Sequence, residues 1–230
     1  MKPRMLALSL VAIGGALLVA PGQVFAQSEA PATATISAST VAKPSGPQIG
    51  ARLAYGLPLG RVAQGTDLSS IDNGMSSFQL DAGWRFHRRL VVGAYAQYGA
   101  LMLDQDRALG GACRRSDVDC TGRDWRLGVQ GHWHFAPGRG FDPWVGLGVG
   151  TEIHVLRVDG PVAGNTFRGF EANAQVGGDF RLAPDVGLGP FLAFSLAKFG
   201  SCSTDDGACV VGATAVHAWL FGGIRGVFDV

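Results

Sequence analysis

The sequence carries little charge for its length: acidic and basic side chains make up 16% of 230 residues and leave a formal net of +1. No basic stripe stands out, which argues against a nucleic-acid partner. Cysteine is scarce, at four residues, and no CxxC pair occurs, so a four-thiolate zinc site lacks its usual spacing. After residue 26 no apolar run approaches the ~20 residues that a membrane-spanning helix needs. That stretch also lacks the 3.6-residue apolar period of a soluble amphipathic helix. No phosphate-cradling loop or dinucleotide motif occurs in a strand–turn–helix context. Glycine, by contrast, is abundant: 35 residues, roughly twice average usage. It follows no G-X-Y period, so the chain is not collagen-like.

The first segment reads as a targeting signal. Lys2 and Arg4 form a positive start, Met5 to Ala20 an apolar core, and Val24-Phe25-Ala26 a small-residue cleavage site. A signal peptide over residues 1–26, cut near Ala26, implies export. Residues 27–47 are rich in Ala, Thr, Ser and Pro without periodicity, which predicts a flexible tail.

From Gln48 onward the chain alternates with a period of two. Trp125, Leu127, Val129, Trp133 and Phe135 share one parity; Arg126, Gly128, Gln130, His132 and His134 share the other. Successive side chains of a strand point to opposite faces, so each such segment has one apolar and one polar face. Eight segments follow the pattern, near 48–58, 75–86, 90–102, 123–135, 143–156, 167–181, 187–199 and 214–228. Each is roughly ten or more residues, the length of a tilted transmembrane strand. Short turns at 87–89, 136–142 and 183–186 alternate with longer loops near 59–74, 103–122, 157–166 and 200–213.

Two architectures take eight alternating strands. A lipocalin-like soluble barrel turns its apolar face inward, and a membrane barrel turns it outward. Aromatic placement favours the membrane. Trp84, Phe86, Trp133, Phe135, Phe180 and Phe228 fall at the short-turn ends of the apolar face, and Tyr55, Tyr98, Trp125 and Phe170 near the opposite rim. Such aromatics would form two interfacial girdles. The expected fold is therefore an all-β, eight-stranded antiparallel transmembrane β-barrel over residues 48–230, with the 27–47 tail in the periplasm.

The segments Val91-Val92-Gly93-Ala94-Tyr95, Pro143-Trp144-Val145-Gly146-Leu147-Gly148-Val149-Gly150 and Gly222-Gly223-Ile224-Arg225-Gly226-Val227-Phe228 resemble strands of the small eight-stranded outer-membrane barrels, the group that includes OmpA, OmpX and OmpW. The resemblance covers about 48–230. It implies the outer membrane of a Gram-negative bacterium, a monomer, and outer-membrane lipid, lipopolysaccharide and the barrel-assembly machinery as partners. Members usually end on an aromatic residue, whereas Phe228 is followed here by Asp229 and Val230.

An eight-stranded barrel is just wide enough for side chains to fill it. By parity the inward charges are Arg52, Asp81, Arg85, Arg126, Glu152, Glu171, Asp179 and Arg225, four of each sign. Arg126, Glu152 and Glu171 lie toward the outer half of neighbouring strands. Arg52, Asp81, Arg85 and Arg225 lie on strands that adjoin once the barrel closes. Paired buried charge forms an ion-pair plug, or alternatively lines a gated narrow path. Inward glycines (Gly128, Gly146, Gly148, Gly150, Gly177) are expected to leave room for Phe191, Trp219 and Phe221. His132, His134, His154 and His217 also face inward, where polar filling is the expected role and no metal site or cofactor is assigned.

Cys113, Cys120, Cys202 and Cys209 all fall in the longer loops. Three connectivities are open, the simplest being two local bridges, each stabilising its loop by about 2–3 kcal/mol on the chain-entropy model. Asp117, Asp119, Asp205 and Asp206 cluster there as a solvated surface or, if the tips met, a calcium site. Arg114, Arg115 and Arg123 would meet lipopolysaccharide phosphates, and Lys198 would snorkel to the same headgroups. A lipid-modifying enzyme would need a hydroxyl–histidine pairing; His217-Ala218-Trp219 lacks one, and Ser195 has no obvious sequence partner. The sequence therefore points first to a structural or surface-interaction role without catalysis, then to a narrow passive pore, and last to a lipid-modifying enzyme.

Overall fold

The structure is a computed structural model that describes residues 45–63, 66–107, 111, 113–114, 118–159, 164–204, 207–209 and 216–230. The signal segment and most of the tail lie outside the described residues, as do Arg115, Asp117, Asp205 and Asp206.

Eight long strands carry the fold: β1 (Gly46–Ala63), β2 (Asp72–Phe86), β3 (Leu90–Leu103), β4 (Asp119–His134), β5 (Phe141–Asp159), β6 (Asn165–Ala183), β7 (Val186–Thr204) and β8 (His217–Asp229). Each pairs antiparallel with the next. The last closes on the first, from Gln48 opposite Asp229 to Gly60 opposite His217. Closure pairs each of the eight strands on both sides through the barrel wall, the condition a sheet must meet to sit in hydrocarbon.

The alternation resolves into an inverted protein. Leu53 and Leu147 are 66% and 70% exposed, whereas Glu152 and Asp179 are completely buried. Apolar side chains cover the outside and polar ones fill the inside, which excludes the soluble calyx. The girdle residues Trp84, Phe86, Trp125, Trp133, Phe135, Phe180 and Phe228 all lie on the exposed face. Tyr98 packs on Trp125 at 4.8 Å between ring centroids.

Strands β5, β6 and β7 each run 19 residues, well beyond the ~9–11 that cross a bilayer. The sequence pattern ended them earlier because apolar alternation stops at the headgroups. The hydrogen-bonded ladder goes on, to Asp119 opposite Asp159 and Asn165 opposite Thr204. Most of the extra length stands on the long-loop side.

Two features shape the loops. Residues Leu68–Ser70 form a single 3-10 turn that lays Leu68 on Met75, Trp219 and Phe221. The first long loop thus reaches into the barrel mouth. Cys113 and Cys120 are disulfide-bonded, with their Cα atoms 5.6 Å apart. Cys202 lies in register with Cys209 and is itself disulfide-bonded; the Cys209 side chain lies outside the described residues.

At the short-turn end, His87 (φ 49°) and Arg88 (φ 66°) both adopt the left-handed conformation, and the Arg89 amide donates to Phe86 O at 3.2 Å. Such a turn suits the twist of a hairpin but favours Asn and Gly. A non-glycine residue there costs about 1–2 kcal/mol. Arg88→Gly should therefore raise the stability of the folded barrel by about 1 kcal/mol, read as a higher urea midpoint. An unchanged or lower midpoint would mean that the Arg88 side chain offsets its own strain.

Candidate functional site

The candidate site is the barrel interior, which the inward parity of all eight strands builds. Its floor, at the short-turn end, is centred on Asp229. The Asp229 carboxylate accepts from Arg85 (3.1 Å) and Gln48 (2.6 Å) at Oδ1 and from Arg181 (2.8 Å) at Oδ2. One residue at the end of β8 thereby ties together β1, β2 and β6. Close by, His134 Nδ1 lies 3.0 Å from Asp142, whose other oxygen accepts the Ala136 amide.

Above the floor, Arg225 donates to Asp179 at 2.8 Å and lies 4.6 Å from the Trp144 ring, whose Nε1 donates to the same carboxylate. Arg52 pairs with Asp81 at 2.9 Å and donates to Gln175 at 2.6 Å. Gln79 and Gln130 both donate to Asp81 Oδ1. Arg52 also sits between the Trp144 and Phe191 rings. In this half Arg52, Arg85, Arg181 and Arg225 balance Asp81, Asp142, Asp179 and Asp229.

The outer half is organised by Arg126. Its Nε donates to Asp124, its Nη2 to Glu152 and its Nη1 to Glu171, each at 2.7 Å. Nη1 also reaches Ser195 Oγ, which in turn donates to Glu171. Tyr95 donates to Glu171 at 2.5 Å. His217 Nε2 lies 2.8 Å from Glu152, and His154 stands between Asp124 and Asp72. Between the two halves a cavity of about 20 Å³ remains, lined in part by Gln97, Arg52, Arg126 and Phe221. That is room for roughly one water, and Gln97 Nε2 has no protein partner there.

The interior holds more charge than parity selection from the sequence suggested. Asp72, Asp124, Asp142, Asp229 and Arg181 join the eight named residues, so the four-against-four balance does not hold. Arg225 pairs with Asp179 on β6 rather than with the neighbours of Arg52, because the barrel's shear brings residues of equal depth from different positions along their strands. Gly177 stands opposite Phe191 as expected, but most of the glycines serve other partners. Tyr95 lies opposite Gly128, Trp144 opposite Gly177, His132 opposite Gly146 and Asn173 opposite Gly148, while Phe221 lies opposite Gly56. Each bulky side chain leans over a glycine on the adjoining strand, where a Cβ would collide with it. Directly opposed Cβ atoms sit only about 4.5–5.5 Å apart, so a side chain that leans across the ladder needs a glycine beneath it. Parity carried enough information to find Asp124, Tyr95 and Trp144. Asp72, Asp142 and Asp229 sat in stretches that read as loop, turn and chain end.

Among solved structures the barrel is similar to Neisserial surface protein A, at a TM-score of 0.51 and 12% identity over 82% of this chain and 100% of that one. It also resembles OprG of Pseudomonas aeruginosa (TM-score 0.47, 14% identity, 83% and 99% covered) and Ail of Yersinia pestis (0.40, 13%, 79% and 97%). No family model matches the chain, and no curated protein matches it in sequence. At these identities the likeness concerns the fold: a closed eight-stranded barrel of the outer-membrane type.

Proposed function

We propose that this barrel is a closed, non-catalytic outer-membrane protein whose role is structural and surface-interacting, rather than a pore. The filled interior carries that reading: among the described residues ion pairs and aromatic rings occupy it from Asp229 to Leu68, with a water-sized cavity between the two halves. Desolvated, mutually paired charge of this kind resists hydration because each group already has its partner. Catalysis is disfavoured by the same network. The Ser195 hydroxyl is held by Arg126 and Glu171, and His217 by Glu152, so these two are not paired as a hydroxyl–imidazole couple.

The surface partner of the barrel wall is lipopolysaccharide. Arg123, Arg168 and Lys198 face outward and are exposed, immediately beyond the apolar belt of Trp125, Phe170 and Leu196. Lys198 is directly opposite Phe170 in the ladder. Guanidinium and ammonium groups at that depth meet the phosphates of the outer leaflet. The extended β4–β7 ends and the bridged loops would form the rest of the contact surface. Phe228, facing lipid at the end of β8, is the element the assembly machinery would read in a monomer.

An asymmetric planar bilayer with a lipopolysaccharide leaflet tests both parts. No unitary current is expected, and the recovered protein should retain lipopolysaccharide. The combined Arg168→Ser and Lys198→Ser variant should lose most of that retention. Stable unitary conductance from the wild type would favour the pore. Retention unaffected by the two substitutions would remove the lipid-phosphate contact.

A further inference from the structure

The two halves of the interior differ in charge. The periplasmic half is balanced, but in the outer half Asp72, Asp124, Glu152 and Glu171 face a single arginine, Arg126, with His154 and His217 as the remaining basic groups among the described residues. Buried carboxylates in excess must be neutralised, by a cation or by protons. The sheet places a nitrogen and two carboxylates where one could sit. Asp124 lies directly opposite His154 across the β4–β5 ladder, and Glu152, two residues before His154, shares its face. One donor atom from each of the three falls within 4.8 Å of the others.

Arg126 and His217 hydrogen-bond the two carboxylates at ordinary distances, but two contacts at His154 are longer. His154 Nδ1 and Asp124 Oδ2 are 3.4 Å apart, long for a hydrogen bond involving a carboxylate. It matches the roughly 3.3–3.5 Å between neighbouring donors of a tetrahedral site with metal distances of about 2.0–2.2 Å. The far side of the ring completes the pattern. His154 Nε2 lies 3.5 Å from Asp72 Oδ2, and Asp72 is fully buried with neither oxygen hydrogen-bonded. A carboxylate behind the second ring nitrogen is how metal-ligating histidines are oriented and made more basic.

We propose that Asp124, Glu152 and His154 bind one divalent transition-metal ion of the zinc class beneath the outer mouth, with Asp72 as the positioning residue for His154. The mixed nitrogen and oxygen donors suit zinc or cobalt rather than calcium, which takes six to eight oxygens. His217 stands beside the site, bonded to Glu152. The ion would pin β2, β4 and β5 together just below the long loops, and its charge would offset the carboxylate excess.

The test uses untagged full-length chain refolded into detergent micelles with zinc chloride, desalted, and measured for metal content. One zinc per barrel is expected, and calcium chloride in its place should leave none. His154→Gln should reduce zinc affinity at least tenfold, and Asp72→Asn by about tenfold through the orienting contact alone. Cobalt chloride should give the visible absorption of a four-coordinate site, lost in His154→Gln. Heat-shifted gel mobility establishes that each variant is a closed barrel. Zinc content no higher in the wild type than in His154→Gln overturns the site and leaves protons as the neutralising charge. Calcium retained in preference to zinc overturns the assigned metal class. Should His154→Gln fail to close, the wild-type zinc and cobalt measurements decide alone.

Discussion

Asp229→Ala is expected to lower the unfolding free energy of the barrel by about 3–5 kcal/mol, the range for breaking a buried ion pair from one side. The residue is next to last in the chain, where a substitution would ordinarily cost little. Here its carboxylate is the acceptor for Arg85, Arg181 and Gln48. Removing it leaves two guanidinium groups without a countercharge in a desolvated floor, and an unpaired buried charge costs more than the pair contributes. The contact also falls at the seam, since Asp229 lies opposite Gln48 where β8 meets β1. Asp229→Asn should cost less, because an amide oxygen still accepts one donor. Urea unfolding in lipid vesicles, followed by tryptophan fluorescence, measures both. A midpoint for Asp229→Ala equal to the wild type would mean that Arg85 and Arg181 are satisfied from the periplasmic water instead.

Asp229 also marks where the sequence stopped being legible. Face assignment was readable because a period of two leaves little freedom: once Trp125, Leu127 and Val129 point out, Arg126 and Gln130 must point in. Strand number followed from the same rule, and the outward direction of the apolar face from the placement of the aromatics at the strand ends. Partner choice did not follow. Arg52 meets Asp81 on the adjoining strand, but Arg225 meets Asp179 two strands away, and only tilt and shear decide which inward residues share a depth. Strand ends were obscured for another reason. Hydrophobic alternation reports lipid contact, so Asp72, which lies beyond that contact in a stretch that read as loop, was not announced as part of a strand. Asp229 likewise followed the last aromatic, Phe228, and read as a departure from the usual terminus. In the structure it is the inward-facing partner that the floor arginines require.

Arg126→Met should be the most damaging single change in the interior. The guanidinium spends all three nitrogens on Asp124, Glu152 and Glu171 and lies 5.1 Å from the Phe221 ring. Methionine preserves much of the packing volume but leaves the outer-half carboxylates without their arginine. A loss of at least about 3–5 kcal/mol is expected. Arg126→Lys should recover only part of it, because an ammonium is a point charge that cannot fork toward three acceptors. Neutralising the acids is the sharper control. Arg126→Met combined with Glu152→Gln and Glu171→Gln should restore most of the stability, since replacing both sides of a buried pair is far less costly than removing one. Urea midpoints of the four proteins measure the series. Conductance of the same set separates the closed barrel from the pore. A plug held by Arg126 predicts silence in the wild type and a cation-selective leak in Arg126→Met, where unpaired carboxylates draw water into the interior. A pore lined by Arg126 predicts current in the wild type and a change in its selectivity on substitution. Restored stability with no current in the triple variant would assign Arg126 to holding the barrel shut.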